Sequence, residues 1–153
     1  ITQFTWDCGY WSINGSYVQG ICSDHGEMFT GNYFWKDYTL CTKVNLLHGK
    51  DFKLLFRVNG NLIHYGFGFE NDTLVLFKKN KKREILCTKP FTVKNNKPYE
   101  FKVHVKAEKI IVFLDNEQIF ETVDETPIHN GHVGYSINDG TRIEVLDYSF
   151  EEE

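Results

Sequence analysis

Arg57 interrupts an otherwise apolar run, Leu54-Leu55-Phe56-Arg57-Val58. A guanidinium in such a place offers a rigid fork of donors for carboxylates or vicinal hydroxyls. Strand alternation sends it to the same side as Leu55, where it serves either a ligand or a structural partner on a solvated face. Trp35, Tyr65 and Trp11 supply flat rings that can stack on a ligand or pack in a core. Asp24-His25-Gly26-Glu27 is the most polar stretch of an aromatic neighbourhood. Asp24 and Glu27 there can accept ligand hydrogen bonds or supply oxygens to a structural calcium ion; an ordinary turn uses the same residue types. Asn138-Asp139-Gly140-Thr141-Arg142 reads as a type I′ turn whose Asp139 and Arg142 could reach a pocket rim.

Signals for covalent or metal chemistry are thin. No nucleophile elbow, phosphate-binding loop or dinucleotide fingerprint occurs. His129 and His132 stand three apart without further ligands close in sequence. Cys22 beside Ser23-Asp24-His25 is the one loop-like thiol near a histidine, a weak basis for a Cys–His pair. Glycoside hydrolysis would need two carboxylates roughly 5–10 Å apart; Glu27, Glu70 and Glu144 are available, and nothing in their spacing pairs them.

The elements that would position these groups are strands. Phe101-Lys102-Val103-His104-Val105-Lys106 alternates strictly, and Tyr38–Leu46 and Arg142–Phe150 nearly so. Asn59-Gly60-Asn61, Asn71-Asp72, Asn95-Asn96-Lys97-Pro98 and Asp115-Asn116 break the runs at hairpin spacing. No segment carries a helical face of convincing length, so an antiparallel sandwich or barrel is expected.

At 153 residues the chain suits one domain, 1–153, able to bury a core without a metal or disulfide. It begins at Ile1 without Met and reads as a piece excised from a larger protein. A net charge of -4 argues against a general nucleic-acid binder. The basic run Lys78-Lys79-Asn80-Lys81-Lys82-Arg83 reads as a solvated hairpin turn. No apolar stretch has membrane-spanning length and the N-terminus does not read as a signal peptide, which leaves bacterial cytoplasm and secretion both open. Cys8, Cys22, Cys41 and Cys87 sit among apolar residues and read as free, buried thiols.

The order of the pieces resembles a known superfamily. Trp35-Lys36-Asp37-Tyr38-Thr39-Leu40 is followed by Phe56-Arg57-Val58, Tyr65-Gly66-Phe67-Gly68-Phe69, Lys97-Pro98-Tyr99-Glu100-Phe101, Val112-Phe113-Leu114-Asp115-Asn116 and Gly131-His132-Val133-Gly134-Tyr135. This succession resembles the concanavalin A-like, laminin-G-like jelly roll. It looks nearest to family-66-type carbohydrate-binding modules and to accessory domains of glycoside hydrolases. Tyr17–Gly26 and Phe56–Gly66 also resemble accessory domains of ADP-ribosylglycohydrolase-like proteins. Leu54-Leu55-Phe56-Arg57 departs from the pattern in having no Gly before the strand.

The resemblance implies an all-β, antiparallel two-sheet jelly-roll sandwich. It implies a non-catalytic module that holds a carbohydrate and targets an attached hydrolase, its partners being the glycan and a catalytic domain of the same parent chain. The E-x-D-x-x-E pattern of the catalytic glucanase branch does not occur. A structural or interaction domain packed on a catalytic neighbour, and a stand-alone glycoside hydrolase, are the alternatives. The expected ligand-binding residues are Arg57, Trp35, Tyr65, Asp24, Glu27, Asp139 and Arg142, with Arg57→Ala expected to abolish binding and leave the fold intact. No cofactor is expected beyond a structural calcium ion, and neither nucleic acid nor membrane as a partner.

Overall fold

A computed structural model describes residues 5–14, 17–22 and 24–153. Among them are fourteen strands and no helix. Two seven-stranded sheets face each other. Sheet I runs in the order β1 (Thr5–Cys8), β4 (His25–Thr30), β13 (His132–Asn138), β6 (Phe52–Val58), β7 (Ile63–Glu70), β8 (Thr73–Asn80), β9 (Lys82–Pro90). Sheet II runs β12 (Glu117–Val123), β11 (Lys109–Leu114), β10 (Pro98–Lys106), β5 (Tyr38–His48), β14 (Arg142–Glu152), β3 (Tyr17–Ile21), β2 (Tyr10–Asn14). Every pairing is antiparallel. The expected jelly-roll sandwich is the fold observed.

The core lies between the sheets because both inner faces carry the apolar half of the alternation. Phe52, Leu54, Phe56, Phe67, Phe69 and Tyr135 enter it from sheet I, and Leu40, Val44, Phe101, Val103 and Val112 from sheet II. Phe101 meets Phe52, Phe67 and Phe69 at centroid distances of 5.1, 5.8 and 5.2 Å, tilted or edge-on, geometries worth about 0.5–1.5 kcal/mol a pair beyond area burial. Cys22, Cys41 and Cys87 are free thiols, Cys22 buried and the others half-buried. The Cys8 side chain lies outside what the structure describes.

One irregularity redirects a functional candidate. His132 pairs with Val58 and Gly134 with Leu55, so β6 carries one residue more than β13 over this stretch. The bulge falls at Phe56-Arg57, where Arg57 takes φ +48°. Alternation resumes with Val58 on the outer face beside Leu55, while Phe56 lies in the core.

Candidate functional site

The outer face of sheet I holds a cleft of about 440 Å³, inside the range of small-molecule sites. Its floor is explained by β7. Tyr65, Phe67 and Phe69 point into the core, so His64, Gly66, Gly68 and Glu70 face outward. The two glycines let their neighbours close in over β7. A Cβ on Gly68 would lie 2.0 Å from the Phe52 carbonyl oxygen, and one on Gly66 2.3 Å from the Phe77 ring. Gly134 of β13 is level with Leu55, and Leu55 with Gly66, so Leu55 stands between two glycines across three strands. Leu55, Val58, Val75, Phe77 and Phe29 form a small apolar cluster on this face, separate from the core.

Most of the charged groups along the cleft are held by another. The Lys53 ammonium, on a side chain only 6% exposed, donates to Asp51 Oδ1 at 2.6 Å and pairs with Glu70 Oε1 at 2.8 Å. Arg83 Nη2 donates to the same Glu70 oxygen at 2.5 Å, and its guanidinium lies 4.5 Å from the Phe77 ring centroid. Burial alone would raise the Glu70 pKa; the hydrogen bonds from Arg83 and Lys53 and their charges outweigh it and hold the carboxyl below its ordinary range. Across the cleft, His25 Nε2 lies 3.0 Å from Glu27 Oε1 and its Nδ1 lies 2.6 Å from Asn138 Oδ1. Ser136 and Asn61 complete the polar lining.

His64 closes the end of the cleft beside Lys79. It is 4% exposed, and neither ring nitrogen has a hydrogen-bond partner among the described residues. Burial, then the charge of Lys79, push its pKa down to about 4, against smaller raising effects from the backbone at Asn61 and Tyr65 that fall short of hydrogen-bond geometry. The ring is therefore neutral near neutral pH, with one nitrogen able to donate and the other to accept.

The structure distributes the sequence-derived candidates widely. Glu27 lines the cleft. Arg57 does not: its expected place on Leu55's side is corrected by the bulge, and the side chain is 1% exposed. Its Nε and Nη2 donate to the Lys36 carbonyl at 3.0 and 2.8 Å, Nη1 to those of Ala107 and Ile128 at 2.7 and 2.8 Å, and Nη2 to Asp37 at 3.2 Å. Tyr65 is buried as well; its hydroxyl donates to Asp124 Oδ2 at 2.6 Å and accepts from the Ile128 amide at 3.1 Å. Lys78 adds an ion pair to Asp124 at 2.8 Å. Arg57, Tyr65 and Lys78 thus latch the β12–β13 connection.

Trp35 stacks on Phe150 at 3.7 Å, and Trp11 lies in the core beneath Gly20. Asp24 is exposed, its carbonyl accepting from the Asp139 amide at 2.8 Å. Asp139 borders a separate hollow with Lys50, Asp51, Asn71 and Asp72. Arg142 lies on the outer face of sheet II with Gln19 and Ile21. Glu144 is on that face too, 3.4 Å from both Gln19 and Asn45, so of the three candidate acids Glu27 and Glu70 share the cleft and Glu144 does not. Among the described residues no group of three or more His, Cys, Asp or Glu side chains is placed to hold a metal ion, and the donors from Asp24 to Glu27 do not converge.

Several cleft residues had no signal of their own in the sequence: Lys53, Asn61, His64, Ser136 and Asn138 come together from four separate segments. Lys79 and Arg83 belong to the basic run expected to be a solvated turn. Strand alternation through the β8–β9 hairpin instead buries Lys78 at the latch and brings Lys79 and Arg83 to the cleft. The alternation Tyr65-Gly66-Phe67-Gly68-Phe69 was the readable mark of the floor.

No family model and no curated protein sequence matches the chain. Solved structures do. The carbohydrate binding module CBM66 from Bacillus subtilis superposes with a TM-score of 0.86 at 18% identity, over 98% of this chain and 96% of that one. This chain has the jelly-roll fold of that module. The VIP36 exoplasmic/lumenal domain in its Ca2+/Man-bound form matches with a TM-score of 0.75 at 13% identity, over 99% of this chain and 83% of that one. A sialidase matches with a TM-score of 0.74 at 9% identity, over 99% of this jelly roll but 17% of the sialidase chain.

Proposed function

We propose that this jelly roll is a non-catalytic carbohydrate-binding module and that the cleft on sheet I is its glycan site. The observation that carries the reading is the fixed donor and acceptor set lining the cleft around the Phe77 ring. Glu70 is clamped between Lys53 and Arg83, and Glu27 is bonded to His25, so each carboxylate is oriented before a ligand arrives. Vicinal hydroxyls present paired donors and acceptors that such groups match, and groups already ordered cost less to fix on binding. A clamped, ionised Glu70 has no proton to give near neutral pH, which favours holding a sugar over cleaving one. The similarity to a carbohydrate binding module and to a mannose-bound domain supports the reading.

The module targets an attached hydrolase, a role supported by the small share of the sialidase chain that this fold covers. A shallow site of this kind binds with a Kd on the order of micromolar to millimolar. A glycan array followed by calorimetry tests the assignment: a glycan binds, and Glu70→Gln weakens it about tenfold or more. Binding untouched by Glu70→Gln moves the site off the cleft. No binding to any glycan favours an interaction domain instead, a reading to which the exposed Tyr33 and Phe34, in edge contact at 5.4 Å and the latter 74% exposed, lend a surface.

A further inference from the structure

The two ends of the cleft differ in charge. At one end the Lys53 ammonium faces the carboxylates of Asp51 and Glu70, and Glu27 Oε1 lies 3.0 Å from His25 Nε2. At the other end His64, Lys79, Asn61 and the backbone of Arg83 meet across β7, β8 and β9, with His64 level with Lys79 and Lys79 level with Arg83. Among the described residues Lys79 has no carboxylate partner, and the two carboxylates lining the cleft, Glu27 and Glu70, are both engaged elsewhere. Beside Lys79 sits the imidazole of His64, buried to 96% and with both nitrogens unbonded. Both nitrogens are also closed to solvent, so an occupant reaches them by a small turn of the ring, and bonding there removes the cost of leaving a buried polar group unsatisfied.

Resting on the reading of the cleft as a glycan site, we propose that the ligand is an anionic glycan, whose carboxylate or sulfate seats against Lys79 and His64 with Arg83 beside them. A neutral hydroxyl would satisfy His64 but leave the Lys79 charge unanswered. An anion answers both, accepting from the ammonium and from the imidazole N–H, with charge-assisted bonds of about twice the ordinary strength. Arg83 has further N–H groups beyond the one given to Glu70 and is planar enough to hold such an oxyanion two at a time.

The test is calorimetric titration of the full chain with three ligands on a galactose frame: trigalacturonic acid, a carrageenan tetrasaccharide and neutral β-1,4-galactotriose. The expected result is that the uronate or the sulfated ligand binds at least tenfold tighter than the neutral one, which distinguishes carboxylate from sulfate. Raising salt from 50 to 500 mM weakens only the charged ligand, and so does Lys79→Ala, by about tenfold. His64→Gln, which keeps a donor and an acceptor, loses less. A glycan that binds equally well with or without charge, and is indifferent to Lys79→Ala, overturns the inference and leaves the glycan site standing. Failure of every glycan, charged and neutral, across a broad array removes the site reading itself.

Discussion

The outer faces of the two sheets were built from the same alternating pattern and have become different surfaces. On sheet II the pattern is plain: β5, β10 and β11 switch between buried and more exposed positions residue by residue, and the outer side carries Lys43, Lys102, Glu144 and their kind. On sheet I, β6 is buried at all seven positions, and β7, β8 and β13 at nearly all. One flank of those strands is buried against the core. The other has no layer over it, and its residues bury one another: Lys53 under two carboxylates, Phe77 across Gly66, Arg83 over Phe77. A sheet face that buries charges must hold them by pairing them, whereas a face that alternates cleanly leaves them to water.

The largest effect separates the latch from the cleft. Arg57→Ala strands three carbonyls and removes a buried cation, so unfolding free energy should fall by about 3 kcal/mol or more. For a chain of this size that is roughly 10 °C in Tm, read by calorimetry or denaturant titration. Glycan binding by the surviving folded fraction should persist. A variant as stable as the parent but unable to bind would return Arg57 to the site.

Acid should strike sheet I next. His64 has an ordinary pKa of 6.5 and a folded value of about 4, so the fold favours the neutral ring. Because the folded value is depressed, stability is complete above about pH 6.5 and declines as pH falls toward 4, by roughly 3 kcal/mol over the interval. Glu70, also depressed, adds its loss at lower pH, once its carboxylate takes a proton. His64→Gln should flatten the segment between pH 6.5 and 4 in a denaturation series. An unchanged slope would show that the ring titrates freely.

The smallest effect tests sheet II. Glu144→Gln touches only two long contacts at 3.4 Å and should alter stability by less than about 0.5 kcal/mol and glycan affinity not at all. A loss of binding there would make the two faces equivalent.

The same contrast explains what could be read from the sequence. Sheet II was legible because its strands have one wet face and one dry one, as in Phe101–Lys106. Sheet I yielded its strands but not its site. Nothing local marks the single extra residue that turns Arg57 inward, because the bulge is defined against β13, about 75 residues later in the chain. Lys53 and Ser136 become neighbours only by pairing of β6 with β13, and His64 and Lys79 only by pairing of β7 with β8. The basic run looked like a turn because charge runs on hairpins usually are solvated; here the hairpin tip is Lys81 at φ +67°, and its flanks carry the cations inward on alternate sides. Gly66 and Gly68 were visible as residues, but their meaning depended on knowing that Phe67 and Phe69 face the core.

The position of β14 governs how the molecule can assemble. It lies between β5 and β3, and β3 pairs with nothing but β14 and β2. The hairpin made by β2 and β3 therefore has no strand of sheet II to pair with until β14, far later in the sequence, has zipped onto β5. Closure of sheet II is a late event joining residues more than 120 positions apart, which predicts slow folding and an early period in which the β5 edge stands open.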